Sequence, residues 1–122
     1  MAERYDLLAP DGSEIRLLVS VPGGSMVHCT LRPGQVTQAV RHRTAQEVWY
    51  CVAGSGQVWR KSAEAEEIVD VEPGVALTIP LGAAFQFRAT GSTPFEVVIT
   101  TLPPWPGPDE AVPVTGPWEI ST

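Results

Sequence analysis

Residues 38–56 read QAVRHRTAQEVWYCVAGSG. The stretch has the form of a strand running to His42, a short loop, and a second strand that starts near Glu47 and is closed by Gly54. It carries one histidine, His42, and one carboxylate, Glu47, where a bound transition ion ordinarily takes at least three side-chain donors. Its reading therefore separates two outcomes: a metal site with donors missing, or a barrel pocket put to another use.

Outward from this stretch, Gly and Pro punctuate the chain at short intervals, and the intervals are rich in Val, Ile, Thr and aromatic residues. Strand-like runs occupy 14–21, 25–31, 35–42, 47–52, 57–60, 67–71, 76–79, 85–89 and 95–102. Between them lie explicit turn sequences such as PDGS, VPGGS, RPGQ, AGSG and EPG. Many short strands at regular spacing without helical periodicity indicate an all-β sandwich or barrel. The acidic segment 61–67 reads as a solvated hairpin loop. After Leu102 the chain changes character, and PPWPGPDEAVPVTGPW concentrates proline together with Trp105 and Trp118. Proline blocks ladder hydrogen bonds, so residues 103–122 are expected to run extended over the surface. The tryptophans tie that tail to its own barrel, to a pocket mouth or to a partner subunit.

The chain has 122 residues and suits one domain, with a barrel over about 14–102 followed by the tail. A net charge of −6 and eight scattered basic residues exclude the concentrated positive footprint that nucleic acid or an anionic membrane requires. No apolar run is long enough to span a bilayer, and the N-terminus lacks a basic-then-apolar leader, so a soluble cytoplasmic location is expected. Cys29 and Cys51 lack metal-ligand or redox spacing and read as buried free thiols. His28 stands alone and reads as structural.

At this point the residues resemble a known family, the small cupins. The first cupin motif is Gly, five residues, His-x-His, three or four residues, Glu, six residues, Gly; here Gly34, Val40, Arg41, His42, Glu47 and Gly54 keep every spacing. The second is Gly, five residues, Pro-x-Gly, two residues, His, three residues, Asn; here it reads Gly74, Pro80, Gly82, Phe85 and Ala89. The resemblance implies a cupin-type double-stranded β-helix, or jelly-roll barrel, and a homodimer. In metal-binding cupins the two histidines and the glutamate of the first motif join the histidine of the second around one ion. Val40 and Phe85 occupy two of those four positions, so only His42 and Glu47 carry over and the metal motif is degenerate.

Strand alternation then assigns the interior. With His42 inward, Val40, Gln38 and Val36 follow, while Arg41 and Arg43 face out. With Glu47 inward, Trp49 and Cys51 share its face. Phe85 and Phe87 point in, leaving Gln86 and Arg88 outside. The expected pocket thus has apolar and aromatic walls (Val40, Trp49, Cys51, Phe85, Phe87) and a polar cluster of His42, Glu47 and Gln38, which suits an apolar or aromatic small molecule. Glu47 and His42 are the candidate catalytic pair for metal-independent proton transfer of isomerase, cyclase or lyase type. Three alternatives stay open: a non-catalytic binding or sensing module, a barrel plugged by Phe85 and Phe87, and a metal-dependent enzyme. In the last, Fe, Mn, Ni or Zn would be held by His42, Glu47 and a third donor such as Gln38, His28 or Cys51.

Overall fold

The structure, a computed structural model, describes residues 4–122. Eleven strands and one 3-10 turn follow in order: β1 (Leu7–Leu8), β2 (Glu14–Val21), β3 (Gly24–Leu31), β4 (Val40–His42), β5 (Gln46–Ala53), β6 (Gly56–Lys61), β7 (Glu66–Val71), β8 (Ala76–Ile79), β9 (Ala84–Ala89), β10 (Phe95–Leu102), the 3-10 turn Pro108–Glu110, and β11 (Ala111–Pro113). They form a six-stranded sheet, β1-β2-β3-β10-β5-β8, and a five-stranded sheet, β11-β4-β9-β6-β7. All the pairings between these strands are antiparallel. The inward residues of both sheets meet in one core that includes Leu31, Val58, Ile79, Phe87, Phe95 and Val97.

Alternation is cleanest in β5, where Glu47, Trp49 and Cys51 are buried while Gln46, Val48, Tyr50 and Val52 are exposed. This is the period-2 pattern of a strand with one face on a core. The turn that closes β5 shows why the motif ends in glycine. Gly54 has φ 73°, a conformation that a Cβ disfavours. A Cβ there would also stand 2.1 Å from the Pro94 carbonyl oxygen. Close passage of residues 94–95 over the turn lets β10 enter the sheet between β3 and β5.

Three expectations are corrected by the fold. The run 35–42 is a strand only from Val40. Before it, the chain follows β9 loosely, through the isolated bridge between Val36 and Arg88 and a 3.0 Å bond from Thr37 N to the Phe87 carbonyl. That irregular path breaks the alternation, so Thr37 and Ala39 are buried while Gln38 is only half-buried. Gln86, expected outside, is 1% exposed because the tail covers it. Its Nε2 donates to the carbonyls of Thr37 (2.8 Å) and Trp118 (2.9 Å), and its Oε1 accepts from Trp118 N (3.1 Å). Finally, the proline-rich segment is not strand-free: β11 pairs with β4, setting Ala111 opposite His42.

The tail thus lies on its own barrel, held at several points. The Arg88 guanidinium stacks 4.3 Å from the Trp118 ring centroid. Gln38 Nε2 donates to Val114 O at 3.1 Å, and Thr122 Oγ1 donates to Asp11 O at 2.9 Å. The strongest tie is Glu110, which is 4% exposed and accepts from Thr44 N (2.7 Å), Thr44 Oγ1 (2.7 Å) and Ala45 N (2.6 Å). Burial alone would raise the Glu110 carboxyl, but these donors outweigh it and hold the group below its ordinary value. Glu110→Ala strands two backbone N–H groups, so chemical denaturation should show a loss of about 1–3 kcal/mol. Loss of tail contacts without barrel unfolding should appear as faster hydrogen exchange at residues 111–118.

Candidate functional site

Between the two sheets, at the end where the tail crosses, lies a cavity of about 800 Å³. Its walls come from β2, β3, β5 and β10 on one side, β4 and β9 on the other, and the N-terminal segment and tail at the mouth. The barrel is therefore plugged only in part. Phe87 and Phe95 fill the end beyond Trp49, and Phe85 stands at the boundary as wall.

Of the residues expected in the pocket, His42, Glu47, Val40, Trp49 and Phe85 line this cavity. Gln38, Cys51 and Phe87 do not. Gln38 is drawn to the tail by its bonds to the Ala39 and Val114 carbonyls, a consequence of the broken alternation before β4. Cys51 and Phe87 keep the inward direction assigned to them, but they lie deeper than Trp49, where the core is filled. Inward direction from alternation does not distinguish packed core from open cavity. His28 is 1% exposed on the other face of the six-stranded sheet, with Nε2 3.0 Å from Glu96 Oε1.

Glu47 is held by its neighbours in the ladder. β10 sets Thr101 opposite it, and Thr101 Oγ1 donates to Oε2 at 2.8 Å. Trp49, two residues along the same face, donates Nε1–H to Oε1 at 3.0 Å. Burial nevertheless dominates and pushes the carboxyl up to about 7; the two donors oppose that rise, while Asp11 and Glu110 add to it. His42 is 5% exposed and clamped between rings, edge-on to Phe85 (5.1 Å between centroids) and Trp105 (5.2 Å). Burial lowers its pKa, opposed by Glu110, so the imidazole is neutral at physiological pH. Its buried Nδ1 has no hydrogen-bond partner among the described residues. Glu47 and His42 share the cavity without bonding to each other.

The cavity contains groups that the sequence pattern does not mark. Asp11, in the turn before β2, lines the wall with its Oδ1 accepting from Ser13 N (2.9 Å) and Ser13 Oγ (2.7 Å), and burial raises its pKa. Cys29 lines it too, and burial pushes that thiol far up, leaving it uncharged. Trp105 closes the mouth. Asp11 and Trp105 lie outside both sequence motifs; the PDGS turn reads only as a turn, and the tail's tryptophans leave open what they cover.

The donor set does not fit a cupin metal centre. Val40 and Phe85 stand in the cavity wall at two ligand positions, both Glu47 oxygens are engaged, and the proposed third donors Gln38, His28 and Cys51 all lie outside the cavity. Among the described residues no three His, Cys, Asp or Glu side chains converge on a point where an ion could sit.

Residues 27–101 match the family model of the cupin domain. The chain is a cupin. No curated protein matches it in sequence, but solved structures share the fold. KdgF from Halomonas sp. is 19% identical over 75% of this chain and 80% of its own, with a TM-score of 0.66. A protein with a double-stranded β-helix domain from Klebsiella pneumoniae is 16% identical over 75% and 76%, with a TM-score of 0.65. A predicted oxalate decarboxylase from Thermotoga maritima is 19% identical over 74% and 79%, with a TM-score of 0.64. At these identities the likeness establishes the cupin fold. No helix among the described residues is long and apolar enough to cross a membrane.

The raised pKa of Glu47 has a consequence for this cupin's stability. Its folded value of about 7 lies above its ordinary 4.5, so the folded state holds the proton more tightly than the unfolded chain. That contribution is complete below about 4.5 and is lost as pH rises through about 7. Relative to wild type, Glu47→Gln should therefore gain stability between pH 5 and 8, on the order of 2–3 kcal/mol, in parallel urea titrations. Comparing the two proteins at each pH cancels the opposite trend from His42 and His28, whose lowered values stabilise the fold as pH rises.

Proposed function

We propose that this cupin binds an apolar or aromatic small molecule in the barrel cavity and moves a proton on it without a metal ion, Glu47 being the acceptor and donor. The observation that carries the reading is a carboxyl poised near 7, fixed in position by Trp49 and Thr101, in a cavity walled by aromatic rings. A base is most effective when its pKa lies near the working pH. In an isomerase-type cycle the Glu47 carboxylate takes a proton from one carbon of the substrate and returns it to another, so atoms balance with no further reactant. Cyclase and lyase chemistry use the same first step. His42, part of the same wall, presents an uncharged imidazole to the substrate. As the pair do not touch, they act on separate substrate atoms rather than as a relay.

A non-catalytic binding or sensing role is the second reading, favoured by the cavity's largely apolar lining. The two part on Glu47→Gln. With 2-tetralone as an apolar carbon acid in D2O, NMR should show deuterium entering the α-carbon about 10²–10⁴ times faster with wild type than with the variant, at similar affinity. Equal rates with intact binding would leave the binding role.

Metal independence has its own test. After incubation with Fe²⁺, Mn²⁺, Ni²⁺ or Zn²⁺ and desalting, elemental analysis should find far less than one ion per chain, since two donors leave affinity resting on water. Stoichiometric retention would restore a metal-assisted cupin mechanism.

The cytoplasmic homodimer belongs to the same proposal. The second half of β2, Leu17–Val21, is exposed along its length, and Leu17, Leu18, Val19 and Val21 are all large apolar residues. β1 pairs only with Glu14 and Ile15, and beyond Leu17, whose N–H donates to Asp6 Oδ2 at 2.7 Å, the apolar run has a free edge of the kind a second copy covers. Sedimentation should give twice the 13.1 kDa chain mass.

A further inference from the structure

The cavity lining is largely aliphatic, with aromatic rings, hydroxyls and two carboxyls set among it. Its titratable residues are Asp11, Glu47, His42 and Cys29, and neither Arg nor Lys is among the lining residues described. The basic side chains are directed elsewhere. Arg32 pairs with Glu14, Arg43 Nε donates to Asp109 O, Arg60 Nη1 to Thr78 O, and Arg88 bonds Gln57 beneath Trp118. Arg41 is exposed. Within the walls, Trp49, Phe85 and Trp105 present aromatic surface around the same space. His42 forms part of the same wall at 5% exposure, clamped by Phe85 and Trp105, with Nδ1 buried inside the wall and without a partner among the described residues. A buried polar atom of that kind is ordinarily satisfied.

From this arrangement we infer that the ligand is an apolar or aromatic amine, bound as its ammonium form with the nitrogen toward Asp11 and Glu47 and the apolar body against Trp49, Phe85 and Trp105. An anion placed here would meet two carboxyl groups with no Arg or Lys among the described lining residues to compensate it, an arrangement that costs desolvation without return. An ammonium draws these two carboxyls, which burial biases toward the protonated form, into their charged form, and it gains charge-assisted hydrogen bonds from them and attraction from the ring faces. The inference rests on the reading of the cavity as a small-molecule pocket and is independent of proton transfer by Glu47.

The test compares three molecules of similar shape that differ in charge: 2-phenylethylamine, 2-phenylethanol and 3-phenylpropanoate, titrated into the full chain by calorimetry near neutral pH. The amine should bind about ten-fold or more tightly than the alcohol, and the carboxylate more weakly than the alcohol. Asp11→Asn and Glu47→Gln should each reduce the amine's advantage while leaving alcohol binding in place, and retained alcohol binding shows that the variant is folded. If a variant does not fold, the charge series on wild type still decides. Equal binding of amine and alcohol, or preference for the carboxylate, overturns the amine assignment and leaves the pocket reading standing. Failure of all three to bind overturns both.

Discussion

An edge-to-face series of rings runs through the barrel, and the rest of the molecule is arranged around it. Trp105 meets His42, His42 meets Phe85, Phe85 meets Trp49, Trp49 meets Phe87 and Phe87 meets Phe95, with centroid separations between 5.0 and 6.4 Å. The series begins in the tail, crosses from the five-stranded to the six-stranded sheet and back, and ends on β10. Such contacts favour one relative orientation of each pair beyond simple burial. They divide the interior. Phe87 and Phe95 make dry core, while Phe85, Trp49, His42 and Trp105 are left as walls of a cavity. The position of Phe85 at a cupin ligand site is thus a structural substitution as much as a chemical loss, because the ring that replaces the donor now packs the remaining histidine.

The polar groups of the cavity depend on this wall. Glu47 is desolvated by its surroundings, yet its two oxygens are satisfied by Trp49 and Thr101, so burial raises its pKa without leaving it unpartnered. His42 experiences the opposite effect of the same burial and is kept neutral. Glu110, nearer the mouth, spends its charge on the backbone of Thr44 and Ala45 and fixes the tail where Trp105 can reach His42. Carboxylates on nearby elements thus have different tasks, and the number and kind of donors around each decide which.

Much of the site was legible in particular residues. The Glu47, Trp49 and Cys51 face of β5 follows from alternation, and the spacing of Gly34, Glu47, Gly54, Gly74, Pro80 and Gly82 carries the fold. Alternation is less informative for Gln38, because the segment before β4 is irregular and a one-residue departure turns side chains to the other face. Gln86 defeats it differently: the side chain does point away from the barrel interior, as alternation demands, but the tail buries it there. Asp11 and Trp105 could not be placed from local pattern, since each reaches the cavity through contacts between segments distant in the chain. Gln38 N bonds Asp11 O at 3.1 Å, and Trp105 N bonds Ser25 Oγ at 3.2 Å.

By itself, the sequence determined the all-β architecture, the cupin framework, the degeneracy of its ligand set, and the inward direction of His42, Glu47, Trp49 and Phe85. The architecture and the inward directions follow from turn chemistry and strand period, which act over a few residues, while the cupin framework and its lost ligands follow from the resemblance to the two family motifs. The tertiary structure alone decided which inward residues line open space, how the tail is bound, and that Asp11 and Trp105 join Glu47 and His42 around one cavity. Those features depend on volume and on contacts between remote segments, and no short-range pattern encodes either.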